Sequence, residues 1–259
     1  MRMMKKVLGT VTVLALSVSL LAGCGSTAVS PVSSTASTAA ESTTSSVVSE
    51  TTSAAADENE AAAAQLLNDL TGSYQELWPV ILADEYKQTW LDDCTALVGE
   101  DNAEAAFEKL SSMVTGDVYG EDAVKAYANG GGAYFCGFTN SLATLTFDGE
   151  TSTISGTDKD GNVLFSHTYH YIGMEPVRGL YEFESDDADS GEFTYFFLAP
   201  DISAETYHIE FRYGSDAEAL SQYDAGEYAY WVASGISTDC DQTMIDNCIE
   251  LFCTENLAG

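Results

Sequence analysis

The run Leu142-Ala143-Thr144-Leu145-Thr146-Phe147-Asp148-Gly149-Glu150-Thr151-Ser152-Thr153-Ile154-Ser155-Gly156 reads as two short strands folded about a turn. Apolar and hydroxyl side chains alternate on either side of Asp148-Gly149, the period of a half-buried strand, and Asp-Gly is a strong hairpin signal. The same period continues in both directions. Strands are expected over residues 134–138, 142–147, 151–156, 163–171, 179–184, 193–198 and 206–213, rich in Tyr, Phe, Thr and Val. Asp160-Gly161-Asn162 supplies another turn. Short strands at regular spacing imply an antiparallel sandwich or barrel, and the barrel is the economical choice.

Upstream of these strands the period is helical. Residues 60–69 are rich in Ala and Leu, and Pro79 suits the first turn of a helix running through Leu82, Trp90 and Leu91. Asp101-Asn102-Ala103-Glu104 fits a capping box ahead of Phe107, Leu110 and Met113. A short helix over 121–129 stops at Gly130-Gly131-Gly132, another opens at Ser215-Asp216-Ala217-Glu218, and a last one covers 241–253. The fold class is therefore mainly β with flanking helices, arranged as an antiparallel barrel.

The chain outside this domain has a different composition. Met1 to Lys6 is basic, Val7 to Leu21 is apolar, and Leu21-Ala22-Gly23-Cys24 follows. That order is a secretory signal, too short to span a membrane as a helix. Its last four residues resemble the bacterial lipobox, in which the Cys takes a diacylglycerol and becomes the new N-terminus. Residues 1–23 are expected to be a lipoprotein signal peptide, with Cys24 as the lipid anchor of an extracytoplasmic protein. From Ser26 to Ala56, 24 of 31 residues are Ser, Thr or Ala, too few large apolar groups to offset ordering entropy. Residues 24–57 read as a tether spanning on the order of 30 Å as a coil, and 58–259 as the folded domain.

Charge narrows the function. The chain carries 41 acids and nine bases, a formal charge of −32. Without Arg2, Lys5 and Lys6 it carries six bases against 41 acids, or −35. No nucleic-acid binder is expected, because phosphate neutralisation needs clustered Lys and Arg. A polybasic membrane-surface protein is excluded on the same ground.

Four segments in order resemble the ZinT-like domain family. They are Leu67-Asn68-Asp69-Leu70-Thr71-Gly72-Ser73-Tyr74-Gln75-Glu76-Leu77-Trp78-Pro79, Tyr119-Gly120-Glu121-Asp122-Ala123-Val124-Lys125-Ala126-Tyr127, Gly179-Leu180-Tyr181-Glu182-Phe183-Glu184 and Tyr207-His208-Ile209-Glu210-Phe211-Arg212-Tyr213-Gly214-Ser215-Asp216. The resemblance runs over roughly residues 66–237. It implies a calycin-type, lipocalin-like β-barrel that binds zinc or cadmium outside the cytoplasm and supplies it to a metal-uptake ABC transporter.

The family holds its metal chiefly through three histidines, two of them two residues apart on the signature strand. Here that pair reads Thr206-Tyr207-His208, and the upstream segment reads Phe196-Phe197-Leu198-Ala199-Pro200, with Phe in place of the third histidine. Strand parity puts Thr206, His208 and Glu210 on one face, so Glu210 joins His208 if that face lines the barrel mouth. His167 and His170 point to opposite faces of one strand, so at most one of them helps. A candidate zinc site is His208, His170 and a carboxylate, Glu210 or Glu205, because a carrier site needs at least three donors. The alternative is a metal-free calycin-type binding or interaction module.

Other chemistry is sparse. Asp158-Lys159-Asp160-Gly161-Asn162 begins like a calcium loop, but its twelfth position is Tyr169 rather than Glu, so it reads as a hairpin turn. Asp186, Asp187 and Asp189 read as a solvated acidic turn. Beyond Cys24, five cysteines (Cys94, Cys136, Cys240, Cys248, Cys253) permit at most two disulfides, and the sequence does not choose among them. A G-x-S-x-G elbow, an H-E-x-x-H pair and a phosphate loop are all missing from the sequence, so the chain is not read as an enzyme.

Overall fold

Eight strands close on one another in sequence order: β1 (Gly72–Glu76), β2 (Thr144–Asp148), β3 (Thr153–Thr157), β4 (Val163–Met174), β5 (Tyr181–Ser185), β6 (Tyr195–Leu198), β7 (His208–Gly214) and β8 (Ala233–Ser237). Each pairs antiparallel with the next, and β8 returns to β1 through Tyr74 opposite Ser237. The computed structural model describes residues 58–129, 131–200 and 208–258. The signal segment, Cys24, the tether and Glu205 lie outside the described residues.

Alternation in the sequence becomes inside and outside in the barrel. Phe147, Ile154, Phe165, Phe183, Phe196 and Phe211 are buried in one core, which also takes Ala63, Leu66, Leu67 and Leu70 at or just beyond helix α1 (residues 58–69). The segment ahead of β2 adds Phe138 and Leu142 to this core, and Glu76 Oε1 fixes it by accepting the Phe138 amide at 2.6 Å. Aromatic side chains therefore fill the lumen, each contributing a few kcal/mol of burial.

A second core lies outside the barrel wall. Helices α2 (Leu77–Ile81), α3 (Lys87–Val98), α4 (Glu100–Val114) and α7 (Gln242–Leu257) bury Trp78, Ile81, Trp90, Leu110, Ile245 and Ile249 together with Ile236 of β8. Trp90 Nε1 donates to the Ile81 carbonyl at 2.7 Å, which satisfies the one polar atom of a fully buried indole. Strand β8 is thus buried on both faces, which suits its run of small residues. Helices α5 (Glu121–Ala128) and α6 (Ala217–Leu220) complete the set.

Most of the expected elements form, with four differences. Residues 134–138 make no strand; only Phe135 bridges, to Thr115 and Trp231. Strands β1 and β8 were not foreseen. The helix expected from Pro79 onward is broken by a 3-10 turn, Asp84–Tyr86, with Pro79 third in α2. The capping box at Asp101 is not used, because α4 starts at Glu100 behind Gly99, whose φ is 84°, which puts Asp101 inside the first turn. Asp216 and Asp241 do cap α6 and α7, accepting the amides of Ala219 and Met244.

Candidate functional site

Strand β7 decides where a site can be. Ile209, Phe211 and Tyr213 enter the barrel core, so His208, Glu210 and Arg212 face outward. His208 stands opposite Ile236, and Glu210 opposite Ser234. Ile236 belongs to the helical core, so the His208–Glu210 face looks toward the helices. The condition set from the sequence, that this face lines the barrel mouth, is therefore not met. Parity tells which residues share a face, not which face is inside, and the lumen is already taken by aromatic rings.

The surroundings of Glu210 confirm that direction. The Cys136 thiol is pushed up to about 12, by burial first and then by the negative charge of Glu210. Cys248 of α7 is likewise pushed up to about 12 by burial, with Cys240 and Glu210 adding to it. Both thiols belong to the helical core and are protonated at neutral pH. His208 and Glu210 are half-buried and each engages neighbours.

The other histidines are elsewhere. His167 points inward, its ring stacked 5.9 Å from Phe165, and its Nδ1 lies 2.8 Å from Asp187 Oδ2. His170 points outward and is exposed, with Nδ1 2.7 Å from Asp186 Oδ1. The two take opposite faces of β4, as their spacing requires. Asp186 and Asp187 lie in the β5–β6 connection, whereas His208 begins β7 at the far end of β6. In an antiparallel barrel these are opposite ends. The register compounds the separation, since His170 leads through Glu184 and Tyr195 to Gly214, six residues from His208. The structure does not bring His170 to His208 and Glu210. Among the described residues no group of three or more His, Cys, Asp or Glu side chains is gathered so that it could hold a metal ion.

Asp158 behaves as a turn residue. Its Oδ1 accepts the amides of Asp160 and Asn162, and its Oδ2 accepts Asn162 Nδ2. These bonds hold its carboxyl below the usual carboxylate range, the Asn162 side chain contributing most. Tyr169, at the twelfth position, is buried with its hydroxyl on the Phe193 carbonyl. An open cleft of about 520 Å³ lies between Tyr119, Gly120, Glu121, Asp122 and Glu227; of its three carboxylates, Asp122 is paired with Lys125.

Sequence reasoning missed the largest polar feature of this face. Arg212 is fully buried beyond Glu210, its guanidinium donating to the carbonyls of Leu220, Gln222 and Tyr228. Its Cζ lies 4.3 Å from the Tyr223 ring centroid and that of Arg178 lies 4.2 Å from it. The signal available was an Arg flanked by Phe211 and Tyr213 in a strand of a chain with few bases.

Fold and site together define a closed eight-stranded antiparallel barrel with a helical layer on one wall and a His–Glu pair at the seam. No family model matches the chain, and no curated protein sequence matches it. Among solved structures it is similar to the Zn(II)-bound ZinT-like domain of Streptococcus pneumoniae AdcA, at 16% identity and a TM-score of 0.45, over 71% of this chain and 89% of that one. It is also similar to Zn(II)-bound AdcA from the same organism, at 14% identity and a TM-score of 0.43, over 72% of this chain and 35% of that one.

Proposed function

We propose that this is a lipid-anchored, extracytoplasmic protein that binds zinc or a similar divalent metal and passes it to an uptake transporter. The observation that carries the reading is the placing of His208 and Glu210. They are an imidazole and a carboxylate two residues apart on one face of a rigid strand, a spacing that lets both reach one ion. In the sequence Glu205 stands as the alternative carboxylate to Glu210. The four ordered segments of ZinT resemblance and the Leu21-Ala22-Gly23-Cys24 motif support the setting. The acidic charge raises the local concentration of cations without itself forming a site.

Zinc titration of the purified protein, followed by heat or native mass, tests the proposal. One saturable site is expected, lost in His208→Ala, weakened about 10- to 100-fold in Glu210→Gln and unchanged in His170→Ala. Absence of saturable binding, or binding unchanged in His208→Ala, overturns it. The anchor is tested separately: Cys24→Ser should move the protein from the membrane fraction to the soluble one.

A second reading is a metal-free interaction module. The engagement of His167 and His170 by Asp187 and Asp186 favours it, as does the lack of a three-donor group among the described residues. The same titration separates the two.

A further inference from the structure

We propose that Cys94 and Cys253 are the two ends of a disulfide that ties α3 to α7 when the protein matures in an oxidising compartment. Five cysteines allow many pairings from sequence alone, and the fold brings these two together. Their sulfurs are 3.9 Å apart and both residues are 0% exposed. All five cysteines are thiols in the structure, so the contact at present is S–H···S. Closing it to a bond of about 2.05 Å brings the sulfurs together from 3.9 Å. The two sulfurs already face each other from the interiors of packed helices.

The chemistry is thiol–disulfide exchange with a donor disulfide, a small molecule or a protein. One cysteine loses its proton and its thiolate attacks the donor, forming a mixed disulfide and expelling one donor thiolate. The second cysteine loses its proton and its thiolate attacks the first cysteine's sulfur in the mixed disulfide, so the Cys94–Cys253 bond forms as the bond to the donor breaks and the other donor thiolate leaves. Both released thiolates take up the protons lost. Two protein thiols are oxidised and one donor disulfide is reduced to two thiols.

The environment sets when this happens. Burial raises Cys94 above the ordinary thiol range, and burial with the neighbouring Cys94 raises Cys253. The docked interior therefore offers neither a thiolate nor access to a donor. Exchange belongs to the stage before α7 packs onto α3, and docking then shields the bond from mild reductants. The closed loop runs from α3 to α7 and contains strands β2 to β8, so the constraint on the unfolded chain is near the upper range for disulfides. None of this depends on metal binding.

The test is to unfold the full chain, refold it with oxidised and reduced glutathione, alkylate and digest. A Cys94–Cys253 linked peptide should dominate, while Cys136, Cys240 and Cys248 carry the alkyl label. The linked protein should melt several degrees above its reduced form, and Cys94→Ala should abolish that difference. If Cys94→Ala does not fold, Cys253→Ser serves the same comparison. Labelled Cys94 and Cys253 after refolding, either one linked to a different cysteine, or a reductant-sensitive melting shift that survives in the variant overturns the assignment.

Discussion

Arg212 shows how a single residue can organise one side of a barrel. It carries a full charge into a site that is 0% exposed, yet among the described residues its hydrogen bonds go to backbone carbonyls rather than to a carboxylate. Backbone carbonyls at Leu220, Gln222 and Tyr228 take its protons instead, and Tyr223 presents its ring face. Those carbonyls lie in the connection between β7 and β8, where the one-turn helix α6 and a few turn bonds such as Tyr230 N–H to the Tyr223 carbonyl satisfy only part of the backbone. Arg212 therefore does for this connection what a ladder does for a strand. Replacing it with Met leaves three acceptors unsatisfied, at about 1–3 kcal/mol each before relaxation. Arg212→Met should lower stability by roughly 3 kcal/mol or more, read as a shift in the urea midpoint. Arg212→Lys should recover only part, because one ammonium cannot span the same carbonyls. At this scale the sequence was least informative. Parity alone gives His208, Glu210 and Arg212 a common face, but it does not show that Arg212 is sealed beneath a later loop.

Among the elements, legibility followed how one-sided each burial was. Strands β2 and β3 alternate buried and half-buried positions, so composition announced them. Strand β8 has four consecutive buried residues, Ala233 to Ile236. A short run of Ala, Ser and Gly between two cores carries no period, so it was missed. The β2–β3 hairpin shows what its turn chemistry serves beyond the turn. A Cβ on Gly149 would lie 2.4 Å from Asn68 Cα and 2.6 Å from the Leu67 carbonyl oxygen. Glycine is thus needed there so that the hairpin can touch the end of α1. Gly161, in the next hairpin, has φ at 81° but open space around it. Gly149→Ala should therefore cost more, about 1–3 kcal/mol from forced backbone movement, and should loosen α1, visible as faster amide exchange over residues 63–69. Gly161→Ala should cost about 1 kcal/mol from its dihedral alone and leave α1 protected. Equal costs, or exchange unchanged in Gly149→Ala, would refute this account of α1 docking.

For the molecule as a whole, composition foretold an acidic domain but not where the acidity presses. A site's inside and outside depend on which face the helices cover, a contact between distant segments that no local pattern encodes. The same is true of charge. On the seam between α3 and α7, Asp93 has its carboxyl raised above the usual range, by burial first and then by Glu250, Asp246 and Asp92. A carboxyl raised in the folded state binds its proton more tightly there than in the unfolded chain. Stability from this group is present at low pH, falls as pH rises from the unfolded toward the folded value, and stays lower above it. At neutral pH Asp93 therefore opposes the packing of α7 on α3. Asp93→Asn should raise the thermal midpoint at pH 7 by a few degrees at most, since the group is partly solvated, and the gain should vanish in acid. Added salt should also stabilise the wild type at pH 7 by screening a domain that carries 38 acids against six bases over residues 58–259. Because part of that screening acts at the same seam, the salt-induced rise should be smaller in Asp93→Asn than in the wild type. Melting curves of both proteins at low and high salt, at pH 7 and near pH 4, measure every term. Equal salt responses would mean that the acids strain the domain only diffusely, and that the α3–α7 seam has no special share.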